Sequence, residues 1–402
     1  MVYELRQQLL KSIYLAIQNV TTYLVRFPIW FLTSLPRFLR PRRSWSFKKT
    51  FYLKYNRFYS EFGPIASRVG PLRAWPTYHS IPDIPGVKGI WLSPVPHLVV
   101  GDVKKWAEAA GVESVKIPGY WIDKAGHDTP IGEKPASGEK VVLYLHGGGL
   151  MSESAHPHSF MSIIPLSIMS QCASTKRALS VEYRLCEITP PANPFPTAII
   201  DILAGYYYLI DIVGFAAEDI IIIGDSAGGH LALAFARYLV DNALELSSVM
   251  KIRPDPPSYS MILLSPWADL GTSHLTPGSP ALTLSCDFLP DLRTGVLGAL
   301  PDVYAADLGH DALESNPYLS PASLHLDAHS LFEGFPRTFI DAGNAERFVG
   351  MCRTLKDRMV ADLGEDKVTY CEPSDALHDH LLNPFEEDQN LQTLREISAW
   401  LA

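Results

Sequence analysis

Beyond Gly138 the chain alternates short apolar runs with segments of helical length. The runs are Val141–Leu145, Ala178–Glu182, Asp219–Ile223 (DIIII), Tyr259–Leu264, Pro336–Asp341 and Lys367–Cys371. Such runs are expected to be strands covered on both faces. Repeated with helices between, that predicts a mostly parallel sheet flanked by helices. A helical period over Ala345–Ala361 supplies one of these helices. The stretch Pro266–Gly334 is rich in Pro and His and too long for a plain connection, which predicts an inserted helical piece at about 266–334. Between Lys54 and Lys140 the text is rich in Pro, Gly and Trp, and the short runs Gly89–Leu92 and Ser114–Ile117 read as edge strands. Trp75, Trp91, Trp106 and Trp121 in this region are expected to pack in the core or a cap.

The first fifty residues behave differently. From Ser12 to Pro36 the only charge is Arg26. The uncharged run Ser12–Val25 is shorter than the roughly 20 residues a bilayer requires. Bridging Arg26 would lengthen it, but Pro28 removes a helical hydrogen bond there, and a central charge costs about 2.5–3.5 kcal/mol. A cleaved signal peptide would end in small residues, whereas this segment runs into Arg37, Arg40, Arg42 and Arg43. Two readings remain: an interfacial anchor, with Trp30, Phe31 and Leu32 resting on anionic lipid between bases, or a helix packed on the body as part of a lid. The first makes the chain membrane-associated; without it the expected location is cytoplasmic.

Charge sharpens the division. The formal net charge is −9 over 402 residues. Residues 1–50 carry nine bases against Glu4 alone, a balance of +8, and the rest carry −17. So acidic a body does not hold a phosphate backbone by counterion release, so no nucleic-acid partner is expected. Hydrophobic residues at 47% and charged residues at 19% are those of a chain with a large core. The five cysteines are dispersed and include no C-x-x-C pair, so neither a disulfide framework nor a zinc module is indicated.

Candidate chemistry centres on Gly224-Asp225-Ser226-Ala227-Gly228-Gly229-His230, placed between the isoleucine run and the apolar helical segment LALAFARYLV. This is G-x-S-x-G on a strand-to-helix turn, where a strained serine exposes its hydroxyl and the glycines leave room for the bend. The helix behind it favours developing negative charge. About 80 residues earlier, His146-Gly147-Gly148-Gly149 follows a strand. Glycine N–H groups can face an oxyanion without Cβ interference, each worth about 2.7–4 kcal/mol. Gly147, Gly148, Gly149 and Ala227 form the expected oxyanion hole, with Gly148 and Gly149 the leading donors and His146 pinning the loop. A base should come from the loop after Lys367–Cys371, which holds His378 and His380. His378 is the choice, with His380 in a supporting structural role. The acid should follow Pro336–Asp341, where Asp341 and Glu346 compete; Glu346 is favoured because it lies beyond the strand end. It would fix the imidazole tautomer and stabilise the imidazolium. The pairs His156/His158 and His378/His380 each lack an evident third ligand, so no metal or other cofactor is expected.

HGGG, GDSAGG, Gly343-Asn-Ala-Glu346 and Asp375-Ala-Leu-His378, in this order, resemble the hormone-sensitive-lipase family of α/β-hydrolases. Val181-Glu-Tyr-Arg-Leu185, Pro194-Phe-Pro196 with Asp201, Leu264-Ser-Pro-Trp267 and Asn316-Pro-Tyr-Leu-Ser-Pro321 also look like its landmarks. The likeness covers roughly 138–402. It implies an α/β-hydrolase fold, a triad of Ser226, His378 and the acid, and a cap built from the N-terminal helices and part of the insert. The layout expected is a leader (1–50), cap helices and first strands (51–137), and a catalytic core (138–402). Glu346 departs from the family's usual Asp. The implied activity is a serine carboxylic-ester hydrolase acting through an acyl-enzyme on an uncharged, lipophilic ester. An amide deacylase or lactonase on the same triad, and a non-catalytic ligand-binding relative, are the alternatives.

Overall fold

The computed structural model describes residues 8–67, 78–250, 260–327 and 329–402. Glu4, Trp75 and Tyr259, named above, lie outside them. Ten strands are described: β1 (Lys88–Leu92), β2 (Ile117–Asp123), β3 (Lys140–Leu145), β4 (Thr175–Val181), β5 (Glu187–Ile188), β6 (Pro191–Ala192), β7 (Ile220–Asp225), β8 (Ser260–Leu264), β9 (Arg337–Asp341) and β10 (Val368–Cys371). Eight form one sheet in the order β1-β2-β4-β3-β7-β8-β9-β10, and β5 and β6 pair separately. From β4 to β10 all pairings are parallel; β2 runs antiparallel to β1 and β4. β7, which ends at the candidate nucleophile, therefore sits inside the sheet.

The apolar runs have the expected cause. Ile220 and Ile222 join the core face that includes Ile199 and Leu203 of helix Thr197–Tyr207 and Leu231 of helix Ala227–Asp241. Ile221 and Ile223 point the other way, into a second cluster with Ile164 and Ile168 of helix Ile163–Gln171 and Ile397 and Trp400 of helix Glu387–Leu401. Each of the four is at most 1% exposed, and full burial of one such side chain is worth about 1.5–3 kcal/mol.

Several boundaries differ from expectation. β2 begins at Ile117 rather than ending there: Pro118 and Gly119 hide the continuation, yet Ile117 to Ile122 are all buried. β4 starts three residues early because Arg177 enters the core as an ion pair, donating to Glu139 at 2.9 Å with its guanidinium 5.1 Å from the Trp121 ring. The helix expected from Ala345 starts at Val349, after a turn. The insert holds three short helices, Pro280–Thr283, Gly295–Ala305 and His310–Ser315. Trp106 and Trp121 pack as expected, whereas Trp91 is 38% exposed with Lys116 over its ring.

At the N-terminus, α1 (Gln8–Thr21) passes through a wide π-turn, Thr22–Arg26, into α2 (Phe27–Ser34), and α3 (Phe47–Ser67) folds back on it. Pro28 lies in the first turn of α2, where the wide turn takes up the register its missing N–H would break. Arg26 does not face outward: it donates to Thr21, Thr22 and Gln18, and its guanidinium lies 4.4 Å from the Phe58 ring of α3. Phe27 and Trp30 meet Phe51 and Phe58 edge-on or tilted. The opposite side is bare: Tyr23, Leu24, Leu32 and Phe38 are 63–74% exposed. Among the described residues no helix is long and apolar enough to cross a membrane.

Candidate active site

The turn after β7 is tight enough to dictate its own sequence. Ser226 has φ 51° and ψ −116°, a conformation a non-glycine residue holds only when its surroundings impose it. A Cβ on Gly224 would lie 2.2 Å from the Gly228 carbonyl oxygen, and one on Gly228 would lie 1.9 Å from that of Leu145. The serine N–H donates to the Leu264 carbonyl at 2.8 Å, fixing the turn to the end of β8.

The Asp225 carboxylate ties this turn to the glycine loop. It accepts from the Tyr144 hydroxyl at 2.7 Å and from the Gly147 N–H at 3.0 Å, and burial pushes it up to about 7. Gly147 was expected among the oxyanion donors; its N–H is instead committed to Asp225, so it anchors the loop. Gly148 and Gly149 take positive φ, 106° and 62°. The Ala227 N–H belongs to the first helical turn, which has no intrahelical acceptor. His146 is buried, stacked on Tyr183 at 4.4 Å with its Nδ1 2.7 Å from the Gly147 carbonyl oxygen. Tyr183 donates to the His146 carbonyl, and burial pushes the imidazole down to about 4.

The loops after β9 and β10 bring the other candidates in. His378 Nε2 lies 2.9 Å from Ser226 Oγ, and its Nδ1 lies 3.8 Å from Glu346 Oε1. Burial pushes His378 down to about 4, leaving a neutral ring able to accept a proton. Phe288 and Phe348 flank it, with ring centroids at 5.8 and 4.9 Å. Glu346 is fully buried and pushed up to about 8; its Oε2 accepts from Ser265 Oγ at 2.7 Å and from the Gly343 N–H at 2.9 Å. Asp341, the competing acid, turns away: it accepts from Thr393 at 2.8 Å and lies 3.5 Å from His380 Nδ1.

Two carboxyls escaped the sequence reading. Asp379 places Oδ2 3.2 Å from His378 Nε2, with φ 48°, and is driven well above the ordinary range, first by burial. Its position next to the chosen histidine was the available signal. Asp287, from the insert, is buried, pushed up to about 6, and acts electrostatically on His378; nothing in its local sequence marks it. Leu297, also from the insert, lies 3.3 Å from where a Gly149 Cβ would sit. Among the described residues no group of three His, Cys, Asp or Glu side chains is placed to hold a metal.

A serine hydroxyl on a strained turn, a neutral imidazole in hydrogen-bond reach, a buried carboxyl behind it and glycine N–H groups alongside are the parts that acyl transfer requires. A family profile described as alpha/beta hydrolase fold matches residues 142–382. An acetyl-hydrolase of Streptomyces hygroscopicus is 30% identical over 244 residues, which is 60% of this chain and 69% of its own. Esterase LipU of Mycobacterium tuberculosis is 36% identical over 124 residues, 31% of this chain and 38% of its own. Among solved structures, a hormone-sensitive lipase from a metagenome library superposes with a TM-score of 0.53 and 27% identity, over 71% of this chain and 81% of its own.

Proposed function

The chain belongs to the alpha/beta hydrolase fold family, and from that premise we propose that it is a serine carboxylic-ester hydrolase working through an acyl-enzyme on an uncharged, lipophilic ester. The observation that carries the reading is the 2.9 Å approach of His378 Nε2 to Ser226 Oγ on a strained turn. His378 takes the hydroxyl proton as Oγ attacks the ester carbonyl carbon. The carbonyl electrons move to oxygen, which is held by the N–H groups of Gly148, Gly149 and Ala227. The tetrahedral species collapses, the alkoxide leaves with the proton from His378, and the acyl group stays on Ser226. A water then gives a proton to Nε2, attacks the acyl carbon and releases the carboxylic acid. Glu346 orients Nδ1 throughout. The Phe288 and Phe348 rings and Leu297 support an apolar acyl pocket, and Phe288 and Leu297 support the insert as part of the cap above it. Turnover of p-nitrophenyl esters across a series of acyl lengths tests the activity, and no turnover of any member overturns it.

The acid assignment has its own test. Glu346→Gln should lower kcat/KM by about 10²- to 10⁴-fold, because an amide in place of the carboxyl no longer fixes the imidazole tautomer. Asp341→Asn, which disturbs only the His380–Thr393 cluster, should leave kcat/KM within about threefold. Kinetics in which Asp341→Asn alone abolishes turnover would reverse the assignment.

The bare apolar side of α1 and α2, with exposed Arg43 and Lys48 close by in sequence, supports a seat on an anionic lipid surface. The full-length chain should pellet with phosphatidylglycerol vesicles, and the triple variant Leu24→Glu, Leu32→Glu, Phe38→Glu should remain in the supernatant. Equal pelleting of the two, or no pelleting of either, removes the lipid seat.

A further inference from the structure

Four residues from the end of the leader and the start of α3, Arg42, Trp45, Lys49 and Leu53, reach the two loops that carry the candidate acid and base. Arg42 donates through Nη1 to Asn344 Oδ1 at 2.6 Å and to Asp375 Oδ1 at 2.8 Å, and through Nη2 to the Asn344 carbonyl at 2.8 Å. Lys49, 4% exposed, donates to the Asp375 carbonyl at 2.5 Å and to Glu386 Oε1 at 2.6 Å. The same Glu386 oxygen accepts the N–H of Leu377 at 2.9 Å. Trp45 and Leu53, both nearly inaccessible, pack in one cluster with Ala345 and Leu377. Arg40 closes the set by donating to the Trp45 carbonyl at 2.6 Å.

Ala345 is the neighbour of Glu346, and Leu377 is the neighbour of His378. The two loops also meet directly: the Ala345 N–H donates to the Ala376 carbonyl at 2.9 Å, and a Cβ on Gly343 would lie 2.3 Å from that oxygen. Arg42 spans this junction from outside, one guanidinium gripping both loops through a planar fork that a lysine cannot reproduce.

We propose that residues 40–53 form a strap whose Arg42 and Lys49 are positioning residues for the acid and histidine of the ester-hydrolysing site. The inference rests on the triad reading above and deepens it. Neither cation touches the reacting atoms. Their effect is to hold the Glu346 loop against the His378 loop, and a shift of about 1 Å in that register costs on the order of 10²-fold in rate. The leader is thereby part of the active centre as well as a candidate lipid seat.

The test is steady-state kinetics of Arg42→Ala on a soluble p-nitrophenyl ester, once wild-type turnover and fluorophosphonate labelling of Ser226 have been established. If the wild type neither turns over nor labels, the triad reading fails; if it does both, only the strap is in question. Arg42→Ala should lower kcat about 10- to 100-fold with KM within about twofold, and slow labelling of Ser226 in parallel. Arg42→Lys should recover part of kcat, millimolar methylguanidine should restore part of the alanine variant's activity, and the exposed Lys104→Ala, outside the strap, should match wild type. If Arg42→Ala melts below the assay temperature, Asp375→Asn removes the same ion pair from the other loop and is read in the same way. Wild-type kcat in the folded Arg42 or Asp375 variant, or a loss carried entirely in KM, overturns the strap.

Discussion

Replacing Ser226 with alanine should remove ester hydrolysis, with kcat/KM falling at least about 10⁴-fold and fluorophosphonate labelling abolished. Among the described residues Ser226 carries the hydroxyl in hydrogen-bond reach of His378 Nε2, the oxyanion N–H groups cannot act without a nucleophile, and a water recruited in place of Oγ lacks its fixed position. The fold should be untouched, because alanine meets the same φ of 51° and removes only an oxygen. The melting temperature is the control, and it should move by no more than about 2 °C. Hydrolysis undiminished in this variant, measured on protein free of co-purifying esterases, would overturn the nucleophile.

Gly228→Ala should be as damaging for a different reason. The new methyl would stand 1.9 Å from the Leu145 carbonyl oxygen and 2.8 Å from that of His146, both backbone atoms that cannot swing aside as a side chain can. Either the helix Ala227–Asp241 moves off β3, opening the core beneath Leu231, or the His146–Gly149 loop is pushed from Ser226. Both outcomes break the Asp225–Gly147 hydrogen bond. The cost should exceed the usual 0.5–3 kcal/mol of a point change, reaching about 4 kcal/mol or more. Loss of soluble protein, or a melting temperature lowered by more than about 8 °C with no Ser226 labelling, is the expected result of thermal denaturation and probe assays. A variant that folds and labels at the wild-type rate would show that the turn has slack the geometry denies.

The parts of this arrangement legible in sequence are those fixed by local chain order. The isoleucine run announced a strand buried on both faces, and G-x-S-x-G after it located the bend because only glycine fits at Gly224 and Gly228. Ser226, Glu346 and His378 each sit just past a strand end, so strand recognition brought them close to their places. What depends on distant packing was not legible. β2 was misplaced because Pro118 and Gly119 mask its pattern, although its neighbours β1 and β4 complete the pairing. Asp287 matters through its proximity to His378 across the fold. The oxyanion role expected of Gly147 fails because a carboxylate 78 positions away takes its N–H. The leader's bases left a lipid anchor and a packed lid both open, and Arg26, Arg40, Arg42 and Lys49 are all committed to protein acceptors. Sequence counts charges; only the fold shows which of them have partners.

The contacts of Arg42 and Lys49 also set a timetable. Their partners lie 333 and 337 positions further along the chain. Synthesis produces the apolar helices before the sheet, then the sheet strand by strand, and after it the residues that hold the histidine loop. At about 5–20 residues per second, the interval between making Lys49 and making Glu386 is on the order of 20–70 seconds. For most of the second half of that interval Ser226 is already present but His378 is not, so by the proposed mechanism the nascent chain does not yet hydrolyse an ester. The leader, meanwhile, has no body to fold against and presents its apolar helices to whatever surface or chaperone is near. By the proposed mechanism, chemical competence therefore waits for the histidine loop, after the leader has met its surroundings.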